Sequence, residues 1–183
     1  MRPNRAADTH LATGFLATPY LLPVLADHGH LGVTYELLFQ DTPPSWLSMI
    51  DKGATTIWEN WEGLDRYGTG SLNHYSKGAV VSFLHRYVAG ITLDEHVPAY
   101  RRFRIQPRPG GGIAWAEADF DSPYGRITSA WRIEAGRVLL DVAVPAGTTA
   151  DIVLPDGSRH TASPGTGRYE SALDPPAAAA TES

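Results

Sequence analysis

The chain has 183 residues, a formal net charge of -5 and ordinary apolar content, enough for one domain or two small ones. It carries no Arg/Lys run to serve as a nucleic-acid footprint, and the lack of cysteine excludes disulfides and thiolate metal sites. No stretch reaches the roughly 18 to 20 apolar residues of a membrane span; the opening Met1–Ala7 segment has two arginines but no apolar run of signal-peptide length, so no membrane partner and a cytoplasmic location are expected.

Up to about Val97 the pattern is helical. Thr9–Asp27 reads as one broken segment, with Pro19 and Pro23 expected to kink or divide it. Gly32–Phe39 is a short helix with Val33, Leu37 and Leu38 turned inward. Ser45–Lys52 follows Pro43-Pro44, with Ser45 as N-cap and Gly53 as stop. Ser71–Ala89 is predicted as the longest helix, because Val80, Phe83, Leu84, Tyr87 and Val88 recur at helical spacing before Gly90. So many apolar helices with so little polar surface suggest a piece of a larger helical domain.

After Pro98 the period becomes two. Ile127, Ser129, Trp131 and Ile133 alternate with polar or small neighbours, and Val138, Leu140, Val142 and Val144 repeat the pattern. Glu134-Ala-Gly-Arg137 between them is a hairpin turn. Arg102–Gln106, Ile113–Phe120 and Asp151–Leu154 supply further strands of a small antiparallel sandwich. The expected organisation is helices over residues 1–97, sandwich over 98–170 and a disordered Pro/Ala-rich tail over 171–183.

The chemistry concentrates in Ala54-Thr-Thr-Ile-Trp-Glu-Asn-Trp61 and Ser71-Leu-Asn-His-Tyr75. Glu59 stands between two indoles, Trp58 and Trp61, and Asn73-His74 follows. Aromatic faces for a sugar ring, an acid and polar groups for hydroxyls are what a carbohydrate site requires. The bland reading is a helix start with two core indoles and a solvated acid. Asp27-His-Gly-His30, even with His10 added, reads as a solvated helix terminus, so neither metal nor cofactor is expected. Gly110-Gly-Gly112 has no helix after it and makes no phosphate loop.

Several ordered blocks together resemble a known family. Thr13-Gly-Phe15, Thr18-Pro-Tyr-Leu21, Pro44-Ser-Trp-Leu47, Gly53-Ala-Thr-Thr-Ile-Trp-Glu59, Ser71-x-Asn-His74, Gly78-Ala-Val80 and Ala89-Gly-Ile91 match, in order, the C-terminal part of bacterial α-L-rhamnosidases. The resemblance covers about residues 9–165. It implies an α+β architecture, the last helices of an (α/α)6 barrel followed by a β-sandwich, and inverting hydrolysis of a rhamnose-containing glycoside. It assigns the general base to Glu59 and sugar contact to His74, with Trp58 and Asn73 beside them. His74 could instead keep Glu59 ionised, since a carboxylate among indoles needs a compensating donor.

The resemblance also implies an absence. The family's general acid lies in an earlier acidic block, and Glu36, Glu62 and Glu95, the other glutamates of the helical half, fall in no such block. The connection Glu62–Gly70 is shorter than in many members, and Ala17 stands where glycine is expected. The chain alone is therefore expected to be inactive, and to self-associate or bind a chain carrying the rest of the barrel. The alternative is a non-catalytic carbohydrate-binding or scaffold module, with Trp115, Phe120, Tyr124 and Trp131 as its platform.

Overall fold

A computed structural model describes residues 10–64 and 68–173. The expected tail from residue 174 onward, and residues 65–67 of the short connection, lie outside the described residues. Two compact units divide the chain, Met1–Phe83 and Leu84–Ser183. No described helix is long and apolar enough to cross a membrane.

The first unit contains α1 (Thr18–Asp27), α2 (Leu31–Leu38), α3 (Trp46–Asp51) and two single turns, α4 (Tyr75–Gly78) and α5 (Val80–Phe83). α1 starts late and is not divided. Pro19 occupies its first turn, where a missing N–H is harmless, and Pro23 lies inside it. Thr18, Leu22 and Ala26 form its buried stripe, while Leu16, just before it, Tyr20 and Val24 are exposed at 90%, 68% and 52%. An apolar helix on both faces is built to be covered on both. In α2 the inward residues are Thr34, Tyr35, Leu37 and Leu38, with Val33 only half-buried. Ser45 caps α3 as expected: its Oγ accepts from the Ser48 amide at 3.1 Å, and the Ser48 hydroxyl donates back to the Ser45 carbonyl.

The predicted Ser71–Ala89 helix is shorter and interrupted. Its first residues are not helical, because their backbone groups are already committed: the Glu59 amide donates to the Ser71 carbonyl and the His74 amide to the Ile57 carbonyl, both at 2.8 Å. Helix begins only at Tyr75. Side-chain periodicity cannot register that competition.

In the second unit, a π-helical turn (Leu84–Val88) precedes two four-stranded sheets, β1-β2-β6-β7 and β3-β4-β5-β8. The strands are β1 (Ile91–Leu93), β2 (Arg102–Ile105), β3 (Trp115–Ser122), β4 (Gly125–Glu134), β5 (Arg137–Val144), β6 (Thr149–Val153), β7 (Arg159–Ala162) and β8 (Gly165–Ala172). Strand character thus starts at Ile91, ahead of the expected switch after Val97, and β8 carries it to Ala172. Gly90 makes the early switch: at φ +92° any Cβ would lie 2.3 Å from the Pro107 nitrogen. Phe103, Ile105, Ile127, Trp131, Val138, Leu140, Val142, Ala150 and Ile152 form the core, on the alternation that the sequence predicts for β4 and β5. Ala135 and Gly136, both at positive φ, close the expected β4–β5 hairpin. One pair departs from the antiparallel expectation: β2 and β6 run parallel, which the long connection through β3, β4 and β5 permits. The carbonyls of Val88 and Ala89 are closed by the Trp131 indole N–H and the Ser129 hydroxyl, each at 2.7 Å.

His85, in the π-helical turn, lies edge-on to Phe120 at 5.8 Å. Its Nε2 is the one buried side-chain polar atom among the described residues without a hydrogen-bond partner. Burial, reinforced by the Arg86 charge and opposed by a backbone hydrogen bond at Ile91, holds its pKa below the ordinary histidine value. The unfolded chain therefore takes up this proton first, and stability falls as pH drops below about 6.5 toward the lower folded value. His85→Gln is expected to shrink the fall in Tm between about pH 7.5 and about pH 5.5, read by circular dichroism. An equal fall in the variant would refute the assignment.

Candidate active site

The two motif segments meet as a short ladder of main-chain hydrogen bonds in the first unit. Besides the two backbone bonds already named, the Ser71 amide donates to Glu59 Oε2 at 2.6 Å. This is a short, charge-assisted bond that fixes where the carboxylate points. Thr56 donates its hydroxyl to the Leu72 carbonyl, adding a fourth tie. The Ser71 hydroxyl bonds both the amide and the carbonyl of Asn73, so the turn into His74 is closed on itself. Glu59 is half-buried and the Asn73 side chain is exposed.

His74 caps α4. Its Nδ1 accepts from the Ser76 amide at 3.3 Å. That bond occupies Nδ1 and leaves Nε2 as the ring nitrogen available to a ligand hydroxyl. The ring is stacked with Phe15 at 4.6 Å and Tyr75 at 5.1 Å. Glu59 and His74 are thus held by different main-chain amides, and no hydrogen bond joins them.

The two indoles separate in role. Trp61 is buried, edge-on to Trp46 at 5.4 Å. Trp58 is half-buried and lies across Gly63, where an added Cβ would come within 3.1 Å of its ring. Sequence reasoning overlooked Lys77, which is 3% exposed. Its ammonium donates to the Glu59 carbonyl and sits 4.1 Å from the centre of the Trp61 ring. The available signal was a lysine opening an otherwise apolar helical run, Gly78-Ala-Val-Val81.

The remaining candidates take structural positions. His10 Nε2 bonds Thr42, and His28 Nδ1 bonds the Val24 carbonyl; among the described residues no three His, Asp or Glu side chains are grouped to hold a metal. Of the four sandwich aromatics, Trp131 is core and Phe120 packs at a tilt against Tyr100, ring centres 4.4 Å apart. Trp115 and Tyr124 are exposed.

Residues 2–88 match the bacterial alpha-L-rhamnosidase 6 hairpin glycosidase domain, and residues 90–168 match the bacterial alpha-L-rhamnosidase C-terminal domain. The chain belongs to the bacterial α-L-rhamnosidase family. It is 43% identical over 166 residues to an α-L-rhamnosidase of Streptomyces avermitilis, covering 85% of this chain and 16% of that protein. It is 41% identical over 155 residues to one from Formosa agariphila, covering 81% and 16%. The crystal structure of the Streptomyces avermitilis α-L-rhamnosidase complexed with L-rhamnose superposes with a TM-score of 0.84 at 38% identity, over 91% of this chain and 18% of that one. The native Aspergillus terreus α-L-rhamnosidase gives 0.84 at 32% identity, over 91% and 20%. The chain spans about one sixth of the length of these curated rhamnosidases.

Gly70 sets the turn that delivers the Ser71 amide. Its φ is +117°, and a Cβ there would lie 2.7 Å from Asn60 Nδ2 and 3.8 Å from Glu59 Oε2. The asparagine can move aside; the backbone cannot. Gly70→Ala is expected to cost about 1–3 kcal/mol of strain in urea denaturation. A cost near zero would show that the turn is not held in this conformation.

Proposed function

We propose that Glu59 is the general base of an inverting α-L-rhamnosidase site, with His74, Trp58 and Asn73 contacting the sugar. One observation carries this reading: the Glu59 carboxylate is pinned by the Ser71 amide on the same ladder that delivers His74. The resemblance assigns both residues, and the family membership supports it. An inverting mechanism needs a carboxylate to take a proton from water as that water attacks the anomeric carbon. On the opposite face, an acid must protonate the departing oxygen, the two carboxyl groups lying roughly 6.5–9.5 Å apart. Glu59 meets the first requirement. We assign the second to a part of the fold outside these 183 residues, so that the chain alone does not turn over. His74, whose Nε2 makes no hydrogen bond among the described residues, supplies a hydroxyl contact.

The decisive experiment uses a chimera in which this chain replaces the C-terminal portion of the Streptomyces avermitilis relative. Hydrolysis of p-nitrophenyl α-L-rhamnoside is expected in the chimera and about 10²–10⁴-fold slower after Glu59→Gln. The isolated chain should show none. Undiminished turnover in the Glu59→Gln chimera would remove Glu59 as base, and turnover by the isolated chain would remove the assignment of the acid elsewhere.

The partner follows from α1. Its outward Tyr20 and Val24, with Leu16 just before it, make the kind of surface that buries against further helices of a hairpin domain. The isolated chain is accordingly expected to sediment as an oligomer at micromolar concentration and to shift toward monomer in Tyr20→Lys. A monomeric wild type would count against an uncovered docking face.

A further inference from the structure

Among the described residues the buried polar side chains are serines and threonines, with a single charged exception, Lys77. Burying an ammonium is costly unless its charge is used, and a methionine would fill the same space at no such cost. What the charge touches is therefore informative. Its Nζ donates to the Glu59 carbonyl and lies over the Trp61 face. Its own carbonyl accepts the Trp46 indole N–H at 3.0 Å, and the neighbouring Ser76 hydroxyl donates to the Phe15 carbonyl at 2.6 Å. The lysine is thus anchored by α3 and α4, and it spends its free end on one residue of the ladder. Glu59 is gripped twice, by Lys77 at its main chain and by the Ser71 amide at its carboxylate.

We propose that Lys77 is the positioning residue for Glu59, holding its main chain where the carboxylate meets the Ser71 amide. The inference rests on Glu59 being the base, but it concerns how that carboxylate is placed and can be tested without sugar. Burial pulls the Lys77 pKa down, while the charges of Glu62 and Glu59 push it up.

A plain core staple would share the burial but would not steer the carboxylate. The Ser71 amide proton reports the difference, since a short bond to a carboxylate shifts it downfield in the NMR spectrum. Glu59→Gln identifies that shift by abolishing it. In the folded full chain, Lys77→Met is expected to lose most of the same shift. The chain has no cysteine, so Lys77→Cys can be aminoethylated in denaturant and refolded, returning an ammonium of nearly the original length; this should restore the shift. A Lys77→Met protein that keeps the wild-type Ser71 signal, or a refolded aminoethyl protein that does not regain it, would overturn the proposal. Should the Lys77 variants fail to fold, the 15N signal of Nζ in the wild type and in Glu59→Gln decides. Its titration midpoint should fall in Glu59→Gln, and an unmoved midpoint would also overturn the proposal. Failure of Glu59 as base would appear separately, in the chimera's turnover.

Discussion

The first unit depends on one commitment of main-chain hydrogen bonds: residues 57–59 pair with residues 71–74 instead of leaving the second segment to coil. From that pairing follow the late start of α4, the use of His74 as its cap, the direction of the Glu59 carboxylate and the approach of Lys77. A residue that spends its amide on a ladder cannot spend it in a helix. The same bonds that shorten a helix therefore assemble the site.

The second unit solves a related problem at the end of its helical turn. The carbonyls of Val88 and Ala89 would be orphaned there, and β4 closes them with the Trp131 indole and the Ser129 hydroxyl. These two residues sit on the inward face of β4 among aliphatic neighbours. Their polar atoms are present in the core because a specific acceptor is waiting. Gly90 then lets the backbone pass within a distance of residues 106 and 107 that no other side chain would allow. A buried tryptophan that might have served a sugar is occupied in holding the sandwich to its own leading turn.

The family match and the packing of α1 agree with each other. The helix buries Thr18, Leu22 and Ala26 and also exposes the apolar Tyr20 and Val24, with Leu16 exposed just before it. The chain spans about a sixth of its curated relatives, and the hairpin-domain match ends where the sandwich match begins, at residues 88 and 90.

Residue type and period alone determined the α+β class, the inward faces of β4 and β5, the β4–β5 hairpin and the Ser45 cap, because each depends on neighbours within a few positions. The ordered motif blocks likewise singled out Glu59 and His74 by residue type. What only the tertiary structure decided were matters of competition between distant groups. Whether Ser71–His74 would be helix or ladder turned on the amides and carbonyls of Ile57 and Glu59. Whether Trp61 would face a ligand or the core turned on Trp46 and Lys77. Whether Lys77 would reach solvent turned on an acceptor eighteen positions away in the chain. Local patterning records what a residue prefers; it carries no account of which distant partner claims its hydrogen bonds first.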